Sequence, residues 1–124
     1  MTSEAVVSDT IRIQAARVGC VLLRNNSGVM VDATGRHVRF GLGNDSKQIN
    51  AVRKSPDLIG WTCHGLFIAV ETKHAGWRFN ASHPDEVAQL AFLEWIMRSG
   101  GIGCFATSWL DVYHRLAIYR QLPL

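Results

Sequence analysis

The sequence predicts a mixed α/β domain built on a central sheet with helices against it. Three observations predict it. Residues 3–18 carry apolar side chains at helical spacing, Leu66–Val70 is a continuous apolar run of the kind that forms a strand covered on both faces, and helical and extended segments alternate along the chain.

The first helix is read from Val7, Ile11, Ala15 and Val18, with Gly19 placed to stop it. A strand at Cys20–Arg24 leads into the turn residues Asn25-Asn26-Ser27-Gly28. Val29–Val31 and His37–Phe40, separated by Asp32-Ala33-Thr34-Gly35, form a hairpin signal. Residues 41–55 have no periodicity and read as an exposed, mobile, basic loop. Asp57–Thr62 and Leu66–Lys73 read as two strands around a turn at Cys63-His64-Gly65. Ser82-His83-Pro84-Asp85-Glu86 has helix-start chemistry, with Ser82 the N-cap candidate, and Gly100-Gly101 ends that helix after about Ser99. A strand at Ile102–Thr107 follows. Ser108 and Asp111 form a capping box for a last helix, Trp109–Leu116, and Ala117–Arg120 reads as a final edge strand.

Composition narrows the function classes. The 124 residues are 48% hydrophobic and 19% charged, which argues against disorder and fits one domain spanning 1–124. No apolar run approaches the ~20 residues that span a bilayer, and the opening MTSEAVVSD lacks signal-peptide character. The net charge of +3 permits a polyanionic partner without requiring one. Cys20, Cys63 and Cys104 are odd in number, widely spaced and set in apolar stretches, so they read as reduced, buried small hydrophobes. The expected compartment is the cytoplasm.

The chemistry concentrates in Ser55-Pro56-Asp57 and Glu71-Thr72-Lys73. A hairpin centred on His64 places Asp57 directly opposite Glu71, and directly opposed residues share a face with Cβ atoms ~4.5–5.5 Å apart. Lys73, two residues on, points the same way. Two adjacent carboxylates repel unless a proton or cation lies between them. Hard oxygen ligands suit Mg²⁺ or Mn²⁺, and the Thr72 carbonyl offers one more. Such a cation polarises a phosphoryl oxygen and acidifies water, while Lys73 orients or deprotonates the attacking water. The competing reading of the same letters is an edge salt bridge between Asp57 and Lys73 with Glu71 nearby.

The order Glu4, Arg24-Asn25-Asn26, Gly28, Pro56-Asp57-Leu58-Ile59-Gly60, Ala69-Val70-Glu71-Thr72-Lys73, Gln89, Phe92, Gly100-Gly101 resembles the VRR-NUC branch of the PD-(D/E)XK nuclease superfamily, in particular its small stand-alone phage and bacterial members. The resemblance covers essentially the whole chain. It implies a restriction-endonuclease-like fold and metal-dependent phosphodiester hydrolysis, by a homodimer acting on branched DNA such as four-way junctions. It makes Asp57 and Glu71 the metal-binding acids, Lys73 the catalytic lysine, Glu4 an acid that positions the metal through water, and Gln89 the glutamine on the helix after the active hairpin. Two features depart from the family pattern: Ser8 stands where a glutamine is frequent, and the loop before Pro56 is longer.

Arg24, Asn25 and Asn26 suit either turn chemistry or phosphate contacts, and Lys47, Arg53 and Lys54 form a candidate backbone-binding patch against the alternative of a solvated face. Trp77 can cap the site, stack on a base or pack at an interface. The histidines make no ligand set by spacing. Ser27 and Ser108 lack a nucleophile context, and Gly41 and Gly43 lack the strand-to-helix setting of a dinucleotide site. The expectation is a divalent-metal-dependent DNA endonuclease. Its rivals are a non-catalytic DNA-binding module that keeps the fold and an RNA-processing nuclease of the same fold.

Overall fold

A computed structural model describes residues 3–124. Helix α1 (Glu4–Arg17) begins at Ser3, whose hydroxyl accepts the Val6 N–H at 3.3 Å, and buries Val7, Ser8, Ile11 and Ala15 along one stripe. Gly19 adopts φ +70° and turns the chain back toward the sheet.

Strands β1 (Val21–Arg24), β4 (Leu58–Trp61), β5 (Phe67–Thr72) and β6 (Ile102–Ala106) form one sheet in the order β1-β4-β5-β6. The first three pair antiparallel and β6 runs parallel to β5. A parallel neighbour needs a crossover, which α3 (Pro84–Arg98) supplies. Strands β2 (Gly28–Val31) and β3 (His37–Phe40) form a separate antiparallel hairpin, as expected. The sheet is therefore mixed and has helices on both faces. Ile68 and Val70 point into the larger core with α1 and α4 (Trp109–Ile118), while Ala69 points the opposite way onto Phe92 and Ile96 of α3. Gly60 is required by close approach, since a Cβ there would collide with the Val21 carbonyl oxygen. No helix among the described residues is long and apolar enough to cross a membrane.

Four local expectations are corrected. Residues 41–55 are not a mobile loop. They contain α2 (Lys47–Val52), with Ser46 accepting the Ile49 N–H, and buried Asn44 ties the segment down through bonds to the Gly28 and Phe40 carbonyls and to Arg39. Helix α2 buries no side chain of its own, so no apolar period announces it. Ala117–Arg120 is not a strand: α4 runs to Ile118 and the Gln121 N–H closes onto the Leu116 carbonyl at 2.7 Å. Neither predicted hydroxyl cap forms. His83 occupies the N-cap of α3 without a side-chain bond, and at α4 the Asp111 carboxylate instead accepts the backbone N–H and hydroxyl of Thr107. Cys63 is only half-buried, unlike Cys20 and Cys104, and its thiol donates to the Gln121 carbonyl.

Candidate functional site

The β4–β5 ladder pairs Leu58 with Val70, Ile59 with Ala69, Gly60 with Ile68 and Trp61 with Phe67. This is the register of a turn centred on His64, and its next step sets Asp57 against Glu71. Because alternate residues of a strand face opposite ways, Glu71 and Lys73 share the α3 side with Ala69. Gln89 stands on that helix.

Asp57 is held by three hydrogen bonds, from Asn25 and Thr72. Its carbonyl accepts the Asn25 N–H at 2.7 Å. Its Oδ2 accepts the Thr72 backbone N–H at 3.1 Å and also the Thr72 hydroxyl. The Asn25 side-chain amide donates to Ser55 Oγ at 2.9 Å and to the Pro56 carbonyl at 2.8 Å, while its oxygen accepts the Leu42 N–H. Asn25 is thus occupied within the protein, bracing the Ser-Pro-Asp segment. Nothing in the sequence marked the Thr72 side chain as a partner of Asp57, since its strand position alone assigns it to the core face.

Glu71 is 7% exposed, and its Oε2 is buried with no hydrogen-bond partner. The Oε1 of Gln89 is likewise buried and unpartnered. Both residues line one cavity of about 510 Å³ with Asp57, Asn26, Ser55 and Lys54. Burial drives the Glu71 pKa far above the ordinary carboxylate range, the Asp57 carboxyl adds to the rise, and the Lys73 charge opposes it. Without a cation, Glu71 therefore carries a proton at neutral pH.

A smaller cavity of about 170 Å³ opens on the other side of Asp57, lined by Glu4, Ser8, Arg24, Asn26 and Thr72 among others. The structure thus brings Glu4 to the same acid that meets Glu71, from the first turn of α1. Lys73 makes no ion pair with either acid, since the ion pairs among the described residues are Arg36–Asp32 and Lys54–Asp85. This overturns the edge salt bridge. The Lys73 amine lies over two aromatic rings instead, 5.5 Å from the Trp77 centroid and 5.9 Å from that of Phe105.

The basic residues do not gather into one patch of free cations. Lys54 pairs with Asp85 at 3.0 Å, Arg53 stacks over Trp95 at 4.5 Å, and Lys47 is exposed at the start of α2. Arg24 and Asn26 are exposed beside Asp57.

The donor set fits a hard divalent cation. Two opposed carboxyls, one an orphaned buried oxygen, and an orphaned amide oxygen are acceptors that a cation would satisfy together. No group of three or more His, Cys, Asp or Glu positioned to hold a metal occurs among the described residues. Asp57 and Glu71 would therefore be the charged ligands, a complement that suits Mg²⁺ with water and phosphate oxygens completing its shell. No protein-family model, curated protein or solved structure matches the chain.

Proposed function

We propose that this chain is a divalent-metal-dependent nuclease of the PD-(D/E)XK type, most similar in layout to the VRR-NUC branch, and that it hydrolyses phosphodiester bonds in DNA. The observation that carries the reading is the meeting of Asp57 with Glu71 at the end of the β4–β5 hairpin, with Glu71 Oε2 buried and unbonded. The order helix, three antiparallel strands, crossover helix and parallel fourth strand supports a restriction-endonuclease-like core, with β2, β3 and α2 inserted between its first two strands.

Asp57 and Glu71 would hold Mg²⁺ or Mn²⁺, with Gln89 beside Glu71, the Thr72 carbonyl as a further oxygen and Glu4 acting through water. A bound cation supplies Lewis acidity at the scissile phosphate and lowers the pKa of water. The chain's own residues do the rest. Glu71 gives up its proton as the site loads, Thr72 fixes the Asp57 carboxylate, and Gln89 contributes an amide oxygen. Lys73 leaves its aromatic seat to orient the attacking water and to offset charge developing on the phosphate. Arg24 and Asn26, exposed beside Asp57, and the exposed Lys47 would meet the DNA backbone. The substrate class is branched DNA such as a four-way junction, and the acting unit is a homodimer, whose two sites match two related strands.

The test is cleavage of a labelled four-way junction beside linear duplex, single-stranded DNA and RNA, each in Mn²⁺, Mg²⁺ and EDTA. Metal-dependent cuts near the branch point, lost in Lys73→Ala with folding intact, are expected. Binding that weakens with salt but no cleavage of any substrate would favour the non-catalytic module, and preferential cleavage of RNA would reassign the substrate.

A further inference from the structure

A third polar cavity, of about 390 Å³, is lined by Trp77, Phe105, Thr107, Asp111, His114 and Arg115. Its aromatic wall consists of the same two rings that seat the Lys73 amine, packed at 4.7 Å between centroids. The position is set by the sheet, because β6 pairs parallel to β5 with Phe105 directly beside Glu71. Adjacent strands lie about 4.8 Å apart, so Phe105 in the wall of this cavity stands one strand from Glu71.

We infer that this cavity is a subsite for an unpaired nucleotide of the substrate, with its base against the Trp77–Phe105 wall and its phosphate toward Arg115 and His114. The inference deepens the nucleic-acid reading of the site and rests on it. Four features fit that ligand. Aromatic faces accept any base by stacking. Arg115 and His114 are exposed on one flank of α4, where they can meet a phosphate. Trp77, in the cavity wall, has a buried indole N–H without a hydrogen-bond partner, an unmet donor beside the proposed subsite. The Asp111 carboxylate, already anchored through Oδ2 to Thr107, presents acceptor capacity toward the amino or imino hydrogens of a base. A duplex cannot offer such a base, but a branch point or strand end can.

The test is a fluorescence titration of a short single-stranded DNA carrying one 2-aminopurine, whose emission falls on stacking. It is run in EDTA with the full chain, its Trp77→Ala, Trp77→Leu and Trp77→Phe variants, and Arg115→Ala. The parent chain and Trp77→Phe quench the probe. Trp77→Ala and Trp77→Leu bind about 5- to 150-fold more weakly, the range one stacked base commands, with quenching lost. Arg115→Ala weakens binding and lowers the salt slope by about 1 while keeping the quench at saturation. Unchanged affinity and quenching in Trp77→Leu, whose bulk maintains the packing, would overturn the subsite, as would a parent chain that leaves the probe unquenched at saturation. Because no metal is present, failure of the nuclease reading registers separately, as absent Mn²⁺-dependent cleavage.

Discussion

Thr72 gives both its backbone N–H and its hydroxyl to a single oxygen of Asp57, Oδ2. One carboxylate oxygen is thus pinned to the strand that carries Glu71. The residue between Glu71 and Lys73 is therefore part of the site through its side chain as well as its backbone. Thr72→Val keeps the N–H bond and removes the hydroxyl. Outer partners of this kind typically govern metal affinity by 10–100-fold, so the variant should bind Mn²⁺ about 10-fold more weakly, with Thr72→Ser near the parent. Isothermal titration of the three proteins reads this directly.

Glu71 makes stability fall with rising pH. Its folded pKa lies above the ordinary value of 4.5, so the folded chain keeps a proton that the unfolded chain releases. The contribution is fully present below about pH 4.5 and shrinks from there upward through neutrality. Glu71→Gln removes this dependence and should raise the metal-free protein's stability at pH 8 by about 1–3 kcal/mol, since each pKa unit is worth 1.36 kcal/mol. Thermal melts from pH 5 to pH 9 with EDTA check it. With Mn²⁺ added, the parent should gain in melting temperature and the variant should not.

Gln89 has a buried carbonyl oxygen with nothing to bond to in the metal-free protein. Gln89→Leu discards that cost, so its metal-free melting temperature should equal or exceed the parent's. Its Mn²⁺ affinity should drop by about 10–100-fold. Opposite signs on stability and affinity separate a positioning role from a packing role.

Asn25 and Arg24 are neighbours with different expected signatures. Asn25→Ala cuts three internal hydrogen bonds and should cost about 1–3 kcal/mol in a urea melt while leaving the salt slope of DNA binding unchanged. Arg24→Ala should leave stability within about 0.5 kcal/mol and reduce the salt slope by about 1.

The β4–β5 hairpin was legible because Gly65 marks a turn after Asp57–Thr62 and the apolar run Leu66–Val70 fixes a central strand. A one-residue slip would have moved Glu71 and Lys73 to the α1 face. What escaped reading is held by distant polar contacts. Asn25 reaches residues 17 to 31 positions away, and nothing in Asn25-Asn26-Ser27-Gly28 distinguishes that brace from an ordinary turn. Helix α2 was hidden because a helix that buries nothing has no apolar period. At 117–120 the letters Ala-Ile-Tyr-Arg suit a strand, yet Leu116 is anchored in the core and the helix runs on past it. Lys73 shares the face of Glu71 as the strand alternation predicts, but the letters do not show that its amine lies over the Trp77 and Phe105 rings instead of pairing with either acid.

The exchange of a proton for a cation at Asp57 and Glu71 is tested most directly by Mn²⁺ calorimetry at pH 7.5 in two buffers of different ionisation enthalpy. One tight Mn²⁺ per chain, with close to one proton released on binding, is predicted for the parent. Glu71→Gln should show neither the affinity nor the proton. Mn²⁺ binding that is absent, or that persists unchanged with no proton release in Glu71→Gln, would contradict the metal site and the nuclease built on it.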